Sequence, residues 1–186
     1  MQRLALASLL AVAVAAAAPR SAHAEIGLRL GLEAPLVTHQ NSRTVTVGGS
    51  TVTVGGGTST FADSLQPSLT GLLSYYPPGG IVGFDIEVLE GFAHTGDNYR
   101  RLGTAIGPGI TVSPPVIPIY LRASLPIHLE PDDVFFGVRA AAGLSLNLAV
   151  LSLYLEGAVD FPLAGTNNDA FSRQTLSLGG GVWFKF

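Results

Sequence analysis

The plainest pattern in the chain is LSLYLEGAVDF, residues 151–161, in which apolar side chains alternate with small or polar ones. In an extended strand, Leu153 and Leu155 point to one face while Ser152 and Glu156 point to the other. A helix would instead place its apolar residues three or four positions apart. The alternation therefore predicts a β-strand with one apolar and one polar face.

The same alternation recurs along the whole chain from residue 25 onward. It marks eight segments, and each is long enough to cross a bilayer as a tilted strand, which takes about 9–11 residues. Short turns alternate with longer connections between them, as in barrels with an even number of strands. The segments are 25–37, 64–76, 80–93, 101–113, 116–128, 133–148, 149–161 and 172–186. We predict an all-β fold, an eight-stranded antiparallel up-and-down transmembrane β-barrel.

Composition excludes several other classes of protein. Charged residues make up 12% of the 186 residues and hydrophobic residues 47%, the reverse of a disordered chain. The 10 Lys and Arg are outnumbered by 13 Asp and Glu, which argues against a nucleic-acid partner. The absence of Cys excludes a disulfide scaffold and a Cys-ligated zinc site.

Residues 1–24 have the organisation of a secretory signal peptide. Arg3 gives a basic start, an apolar run follows from Leu4, and Ala22 and Ala24 offer small residues for cleavage after Ala24. A retained membrane anchor is the alternative, but the apolar run is shorter than the roughly 20 residues that a spanning helix needs. We therefore expect residues 25–186 to be the mature barrel, exported beyond the inner membrane.

The position of the charges indicates which strand face meets lipid. A soluble barrel also alternates, but here the apolar face is aliphatic in strand after strand, and the other face carries Gly, Ser, Thr and most strand charges. An eight-stranded barrel holds little more than its own side chains, so charges inside it must be paired. A proton relay or ion path is the alternative role for such groups. The predicted lumen charge network contains Arg29, Glu33, Asp85, Glu87, Arg101, Arg122, Arg139, Glu156, Asp160 and Lys185.

The last segment of the chain carries a resemblance to a known class. Its sequence is LSLGGGVWFKF, residues 176–186, and it resembles the terminal strand of bacterial outer-membrane barrels, which their assembly machinery reads. Gly181, Phe184 and Phe186 match the glycine, apolar and final aromatic positions of that signal, whereas Gly179 replaces a residue that is usually polar. The nearest class is the small barrels of the OmpA transmembrane-domain or OmpX type. This resemblance implies a Gram-negative outer membrane, with lipid, lipopolysaccharide and the barrel assembly machinery as partners.

The sequence offers no convincing catalytic, cofactor or metal site. Lipid-deacylating barrels carry His and Ser two residues apart on one strand face, and none of His39, His94 and His128 has a Ser at that spacing. We expect these histidines to be solvated loop residues and the protein not to be an enzyme. Glu130, with its neighbouring aspartates at 132 and 133, matches no calcium-loop spacing, so we expect an acidic surface turn there.

The first long connection, residues 38–63, contains an internal repeat. TVTVGGS at residues 44–50 is followed by TVTVGGG at residues 51–57, which predicts a β-hairpin beyond the membrane. Its edge offers a strand-pairing site for an extracellular partner. The alternative is a flexible low-complexity loop.

Three functions are compatible with these features. The first is a non-enzymatic structural or surface-interaction protein whose lumen is plugged by salt bridges. The second is a narrow channel or conduit for small or hydrophobic solutes, since eight strands leave no wide pore. The third is a lipid-modifying enzyme at the outer rim.

Overall fold

The computed structural model of the chain describes residues 24–47, 50–60, 66–95, 98–114, 117–131, 133–148, 151–165 and 170–186. The predicted signal peptide, apart from Ala24, lies outside these residues and stays a prediction. In the described part of the chain, no helix is long and apolar enough to span a membrane.

The described residues form twelve strands in chain order. They are β1 (Glu25–Gln40), β2 (Arg43–Val47), β3 (Ser50–Val54), β4 (Gly57–Thr60), β5 (Ser68–Tyr76), β6 (Val82–Thr95), β7 (Asn98–Val112), β8 (Ile119–Ser124), β9 (Ile127–Glu130), β10 (Asp133–Leu148), β11 (Leu151–Gly165) and β12 (Arg173–Lys185).

The strands close into a barrel by antiparallel pairing. The order runs β12, β1, β5, β6 and β7, continues through β8 and β9 to β10, and returns through β11 to β12. Both β8 and β9 pair with β7 and with β10, so together they make one wall strand. In the part of the wall that the structure describes, closure leaves no strand without a partner on either side, which is what a sheet needs inside lipid. The predicted eight-stranded antiparallel barrel is confirmed.

Pro126 explains why one wall strand is in two pieces. Proline has no N–H to donate to the ladder, and the regular pairing stops at this residue. The surrounding bonds are kept, because Leu125 N–H donates to Pro108 O at 2.9 Å and Gly137 N–H donates to Pro126 O at 2.8 Å. The wall therefore stays closed across the break.

The structure moves several predicted strand boundaries at the long-loop end. β1 continues to Gln40 rather than residue 37, with a bulge at Leu36, and its end also pairs with β4. β11 likewise reaches Gly165 rather than residue 161. Strand pairing continues there beyond the residues that alternate between apolar and polar. Strands that rise above the bilayer no longer need an apolar face, so their sequence loses the alternation.

The Thr-Val repeat forms the predicted hairpin. β2 and β3 pair antiparallel, with Arg43 opposite Val54 and Val47 opposite Ser50. Its turn, residues 48–49, lies outside the described residues.

The exterior of the barrel is aliphatic and the interior is polar. In β8, Ile119 and Leu121 are exposed, while Tyr120, Arg122 and Ser124 between and beyond them are buried. A soluble barrel would show the opposite arrangement, with charges outside. Exposed large apolar residues occur in every wall strand and include Leu30, Leu32, Leu69, Leu73, Ile86, Ile106, Ile110, Leu129, Val134, Leu144, Leu146, Leu153, Leu155, Leu176 and Leu178. This is the surface of a membrane-spanning barrel.

The apolar exterior predicts a depth-dependent cost for an added charge. Leu32→Arg, at an exposed position near the middle of β1, should lower the free energy of unfolding in lipid vesicles by about 2–4 kcal/mol. Gln40→Arg, at the exposed end of the same strand, is the matched control and should cost less than about 1 kcal/mol. Equal effects of the two substitutions would contradict a lipid-facing exterior.

Candidate functional site in the barrel lumen

The inner wall is shaped to admit large polar side chains. A Cβ atom at Gly143 would lie 2.3 Å from the Tyr120 ring, and one at Gly31 would lie 2.1 Å from the Tyr154 hydroxyl. Glycine at these two positions therefore lets Tyr120 lie over the adjacent strand β10 and lets Tyr154 reach across β12 to β1. The remaining space is filled by three buried arginines from three separate strands, Arg29 on β1, Arg122 on β8 and Arg139 on β10.

Arg122 forms the tightest contacts in the lumen. Its two terminal nitrogens contact the two carboxylate oxygens of Glu87, each at 2.7 Å. Nη2 also donates to Glu156 at 2.7 Å, and the Ser124 hydroxyl donates to Glu87 at 2.9 Å. Charge-assisted bonds in this paired geometry are the strongest kind that an arginine makes. Arg122 thus joins strands that lie on different sides of the barrel.

Arg139 extends the network toward the long-loop end. Its Nη1 donates to Asp160 Oδ2 at 2.7 Å, and its Nη2 donates to Glu33. Its Nε lies 3.4 Å from Glu87 Oε1, which connects it to the Arg122 cluster. Oε1 of Glu156 lies 3.8 Å from Nη2, so one guanidinium lies within ion-pair distance of four carboxylates.

Arg29 closes the network toward the short-turn end. Its guanidinium lies over the Tyr120 ring at 4.2 Å and over the Trp183 ring at 4.0 Å, and it is 3.5 Å from Glu156. Cation–π contact of this kind holds a cation where hydrogen-bond partners are few. Tyr76 packs on the same indole, with ring centres 6.0 Å apart. Aromatic rings thus fill this end of the lumen.

Two further residues of the predicted network lie nearer the short-turn end. Asp85 is buried and accepts a hydrogen bond from the Thr111 hydroxyl. The Lys185 ammonium donates to Asn147 at 3.1 Å and lies 3.9 Å from Glu25, so it sits at the rim rather than among the arginines.

The prediction that Arg101 faces the lumen is wrong. Its side chain is 66% exposed and pairs with Glu90 on the outer surface near the long-loop end. The cause is a β-bulge, because Gly91 pairs with Gly103 and Phe92 with Arg101. The intervening residue reverses the inward and outward alternation.

Sequence reasoning missed the aromatic part of the lumen. Arg29 lies over the rings of Tyr120, Tyr154 and Trp183. The sequence placed these rings on the inward strand faces, but it did not indicate that they contact an arginine. The contacts depend on which strands face each other across the lumen, which alternation along one strand does not reveal.

Above the network, the long-loop half of the lumen contains a cavity of about 220 Å³, here called the vestibule. Its floor contains Glu33, Arg139 and Asp160, and its wall includes Phe135 stacked on His128 with ring centres 4.3 Å apart. Below this floor, the space among Arg29, Glu87, Arg122 and their neighbours is about 20 Å³. That is room for about one water molecule. The lumen is open above Arg139 and filled below it.

One histidine, His128, differs from its predicted solvated environment. His128 is half-buried in the vestibule wall, so the expectation that it is solvated is wrong, because it lies on β9 and stacks on a ring. His39 is exposed and hydrogen-bonded to Thr58 at 3.0 Å. The side chain of His94 lies outside what the structure describes. In the predicted acidic turn, residue 132 also lies outside the described residues, and Glu130 forms an ion pair with Arg173 at 2.9 Å.

The predicted assembly-signal residues lie along β12 and its end. Gly181 pairs with Gly31 and Phe184 with Leu28. Phe186 is exposed, and its backbone exchanges two hydrogen bonds with Ile26.

The chain is similar in structure to a solved outer-membrane protein. No protein-family model matches the sequence, and no curated protein matches it. The crystal structure of the outer membrane protein OprG from Pseudomonas aeruginosa is similar at 7% identity and a TM-score of 0.36, over 89% of this chain and 97% of that one. At that score, the barrel assignment rests on this chain's own strand pairing and surface.

The network predicts that inward and outward arginines differ in their effect on stability. Arg122→Met should lower the free energy of unfolding by about 3–5 kcal/mol, because it leaves Glu87 and Glu156 buried without their main partner. Arg101→Met removes an exposed pair with Glu90 and should cost less than about 1 kcal/mol. Urea unfolding in detergent or vesicles measures both, and a loss below 1 kcal/mol for Arg122→Met would contradict the buried network.

Proposed function

We propose that this protein is an integral barrel of a bacterial outer membrane with a non-enzymatic structural or surface-interaction role. The observation that carries the proposal is the filled half of the lumen, where Arg29, Arg122 and their carboxylate partners leave a space of about 20 Å³. A hydrated ion path needs more room than about one water molecule. Any recognition then falls to the loops and the vestibule at the long-loop end.

The outer-membrane location is supported by the closed barrel, the apolar exterior and the signal-like first 24 residues. Bacterial outer membranes are where even-stranded barrels of this size occur. The finer assignment to the OmpA or OmpX type, cleavage after Ala24, and the roles of Gly181, Phe184 and Phe186 in assembly belong to this proposal. So do lipopolysaccharide and the barrel assembly machinery as partners.

The region 38–63 is proposed as the surface for an extracellular partner. The β2–β3 hairpin and the pairing of β4 with the end of β1 give this region defined strands rather than an unstructured loop. A partner strand that adds to the hairpin would use main-chain hydrogen bonds for affinity.

A narrow channel is the second candidate, and the vestibule is the observation that favours it. The cavity of about 220 Å³ already reaches the middle of the barrel, so a rearrangement of Arg139, of the arginines below it and of the rings around Arg29 would open a path. For the third candidate, a lipid-modifying enzyme, His39 bonded to Thr58 and His128 stacked on Phe135 give no support.

Planar-bilayer conductance tests the plugged lumen. The folded 25–186 chain should show no steady, discrete conductance, because charged side chains fill the lumen below Arg139. The control is a charge-balanced variant in which Arg29, Arg122, Glu87 and Glu156 are replaced by Ser. Tyr76, Tyr120 and Trp183 are replaced by Ala in the same variant, because their rings fill the short-turn end, and this variant should conduct. A steady conductance from the folded wild type would overturn the proposal and favour the channel.

A further inference from the structure

The vestibule combines a charged floor with an apolar wall, and the plugged-lumen function leaves it unused. Leu89, Leu102 and Phe135 line the wall, and the Glu130–Arg173 ion pair is part of the lining nearer the loops. At about 30 Å³ per water in the liquid, the cavity has room for about seven water molecules. It is large enough for a small one-ring molecule.

The floor of the vestibule carries more negative than positive charge. Arg139 faces both Glu33 and Asp160, so two carboxylates share one guanidinium there. Nε of Arg139 also lies 3.4 Å from Oε1 of Glu87, so part of its charge is shared with a third carboxylate. Oδ1 of Asp160 has no hydrogen-bond partner among the residues that the structure describes.

The neighbouring charges do not cancel this excess. Directly below, Arg29 and Arg122 are matched by Glu87 and Glu156. Farther down, Asp85 adds a carboxylate that is bonded to a hydroxyl rather than to a cation. Toward the loops, Arg173 is matched by Glu130. Glu33 and Asp160 both line the cavity and share Arg139, so the floor keeps one negative charge more than the described cations around it balance.

A cavity with low-dielectric walls concentrates the field of such a surplus charge and attracts a counter-ion. Among the described residues that line the cavity, an anion finds no free cation, because Arg139 and Arg173 are already bound to carboxylates. A neutral apolar molecule would gain the wall contacts but would take water from the charged floor without replacing its hydrogen bonds.

We propose that the vestibule binds a small amphipathic organic cation, with a primary ammonium group at the Glu33–Asp160 floor and an apolar or aromatic body against the Leu89, Leu102 and Phe135 wall. The ammonium supplies three donors to carboxylate oxygens. The apolar or aromatic body of the ligand covers apolar wall area that water otherwise contacts. This inference goes beyond the plugged-lumen function, and it holds whether or not the lumen conducts.

Three probes of matched size and different charge test the proposal by titration calorimetry on the folded 25–186 chain in detergent. They are 2-phenylethylammonium, neutral 2-phenylethanol and anionic 3-phenylpropionate, each corrected for its heat with empty micelles. The ammonium should bind saturably and at least about tenfold more tightly than the other two. Raising the salt concentration should weaken it, because the attraction is electrostatic.

Charge variants locate the site within the lumen. Asp160→Asn should weaken ammonium binding by about tenfold, because it removes the surplus carboxylate. Asp85→Asn is the matched control, since this aspartate is also buried but does not line the vestibule, and binding should stay within about twofold. Glu33→Gln is the second floor variant if Asp160→Asn does not fold.

A cavity-filling variant tests the site by volume. A Cβ atom at Gly91 would meet nothing closer than Leu102 Cβ at 3.5 Å, so Gly91→Leu places its side chain in the vestibule without a clash at the backbone. It should abolish binding of the ammonium probe. Absence of saturable binding by the wild type, equal binding of the three probes, or unchanged binding in the floor and Gly91 variants would each overturn the proposal.

Discussion

Eight strands enclose a space hardly wider than the side chains that point into it, so a charge inside must find its partner there. In this barrel the partners come from strands far apart in sequence. Arg122 on β8 binds Glu87 on β6 and Glu156 on β11, and no neighbouring strand alone supplies that set. The network therefore acts as a cross-brace through the lumen.

Other features of the sequence follow from this arrangement. Gly31 and Gly143 are small because Tyr154 and Tyr120 must lie against them to leave room for Arg29. Position 124 is polar because the Ser124 hydroxyl donates a hydrogen bond to the buried Glu87 carboxylate. The outward strand faces are aliphatic because they meet lipid, where a charged side chain would be destabilising. The strand charges therefore lie inside.

The lumen has two halves that differ in free volume, divided at Arg139. Below it, arginines, carboxylates and aromatic rings leave room for about one water molecule. Above it, the same width of barrel is lined by smaller groups such as Gly91, Ala105 and Ser177, and a cavity opens. A closed lower half with an open upper half suits a protein that meets its surroundings at the long-loop end.

The sequence predicted the barrel well because strand number, alternation and the inward placement of charge all repeat along the chain. Arg29, Arg122 and Arg139 could be assigned to the lumen from the period of two alone. Arg101 could not, because the bulge at Leu102 has no signature in that period. The vestibule could not be predicted from the sequence either, because its volume depends on which side chains meet across the barrel.

A double-mutant cycle between Arg122 and Glu87 tests the cross-brace most directly. The variants Arg122→Met, Glu87→Gln and the pair together are unfolded with urea in the same vesicles as the wild type. The account predicts a coupling energy of at least about 1.5 kcal/mol, with the double variant losing much less stability than the sum of the single variants. Strict additivity, with a coupling energy near zero, would show that these side chains do not meet in the lumen and would contradict the account.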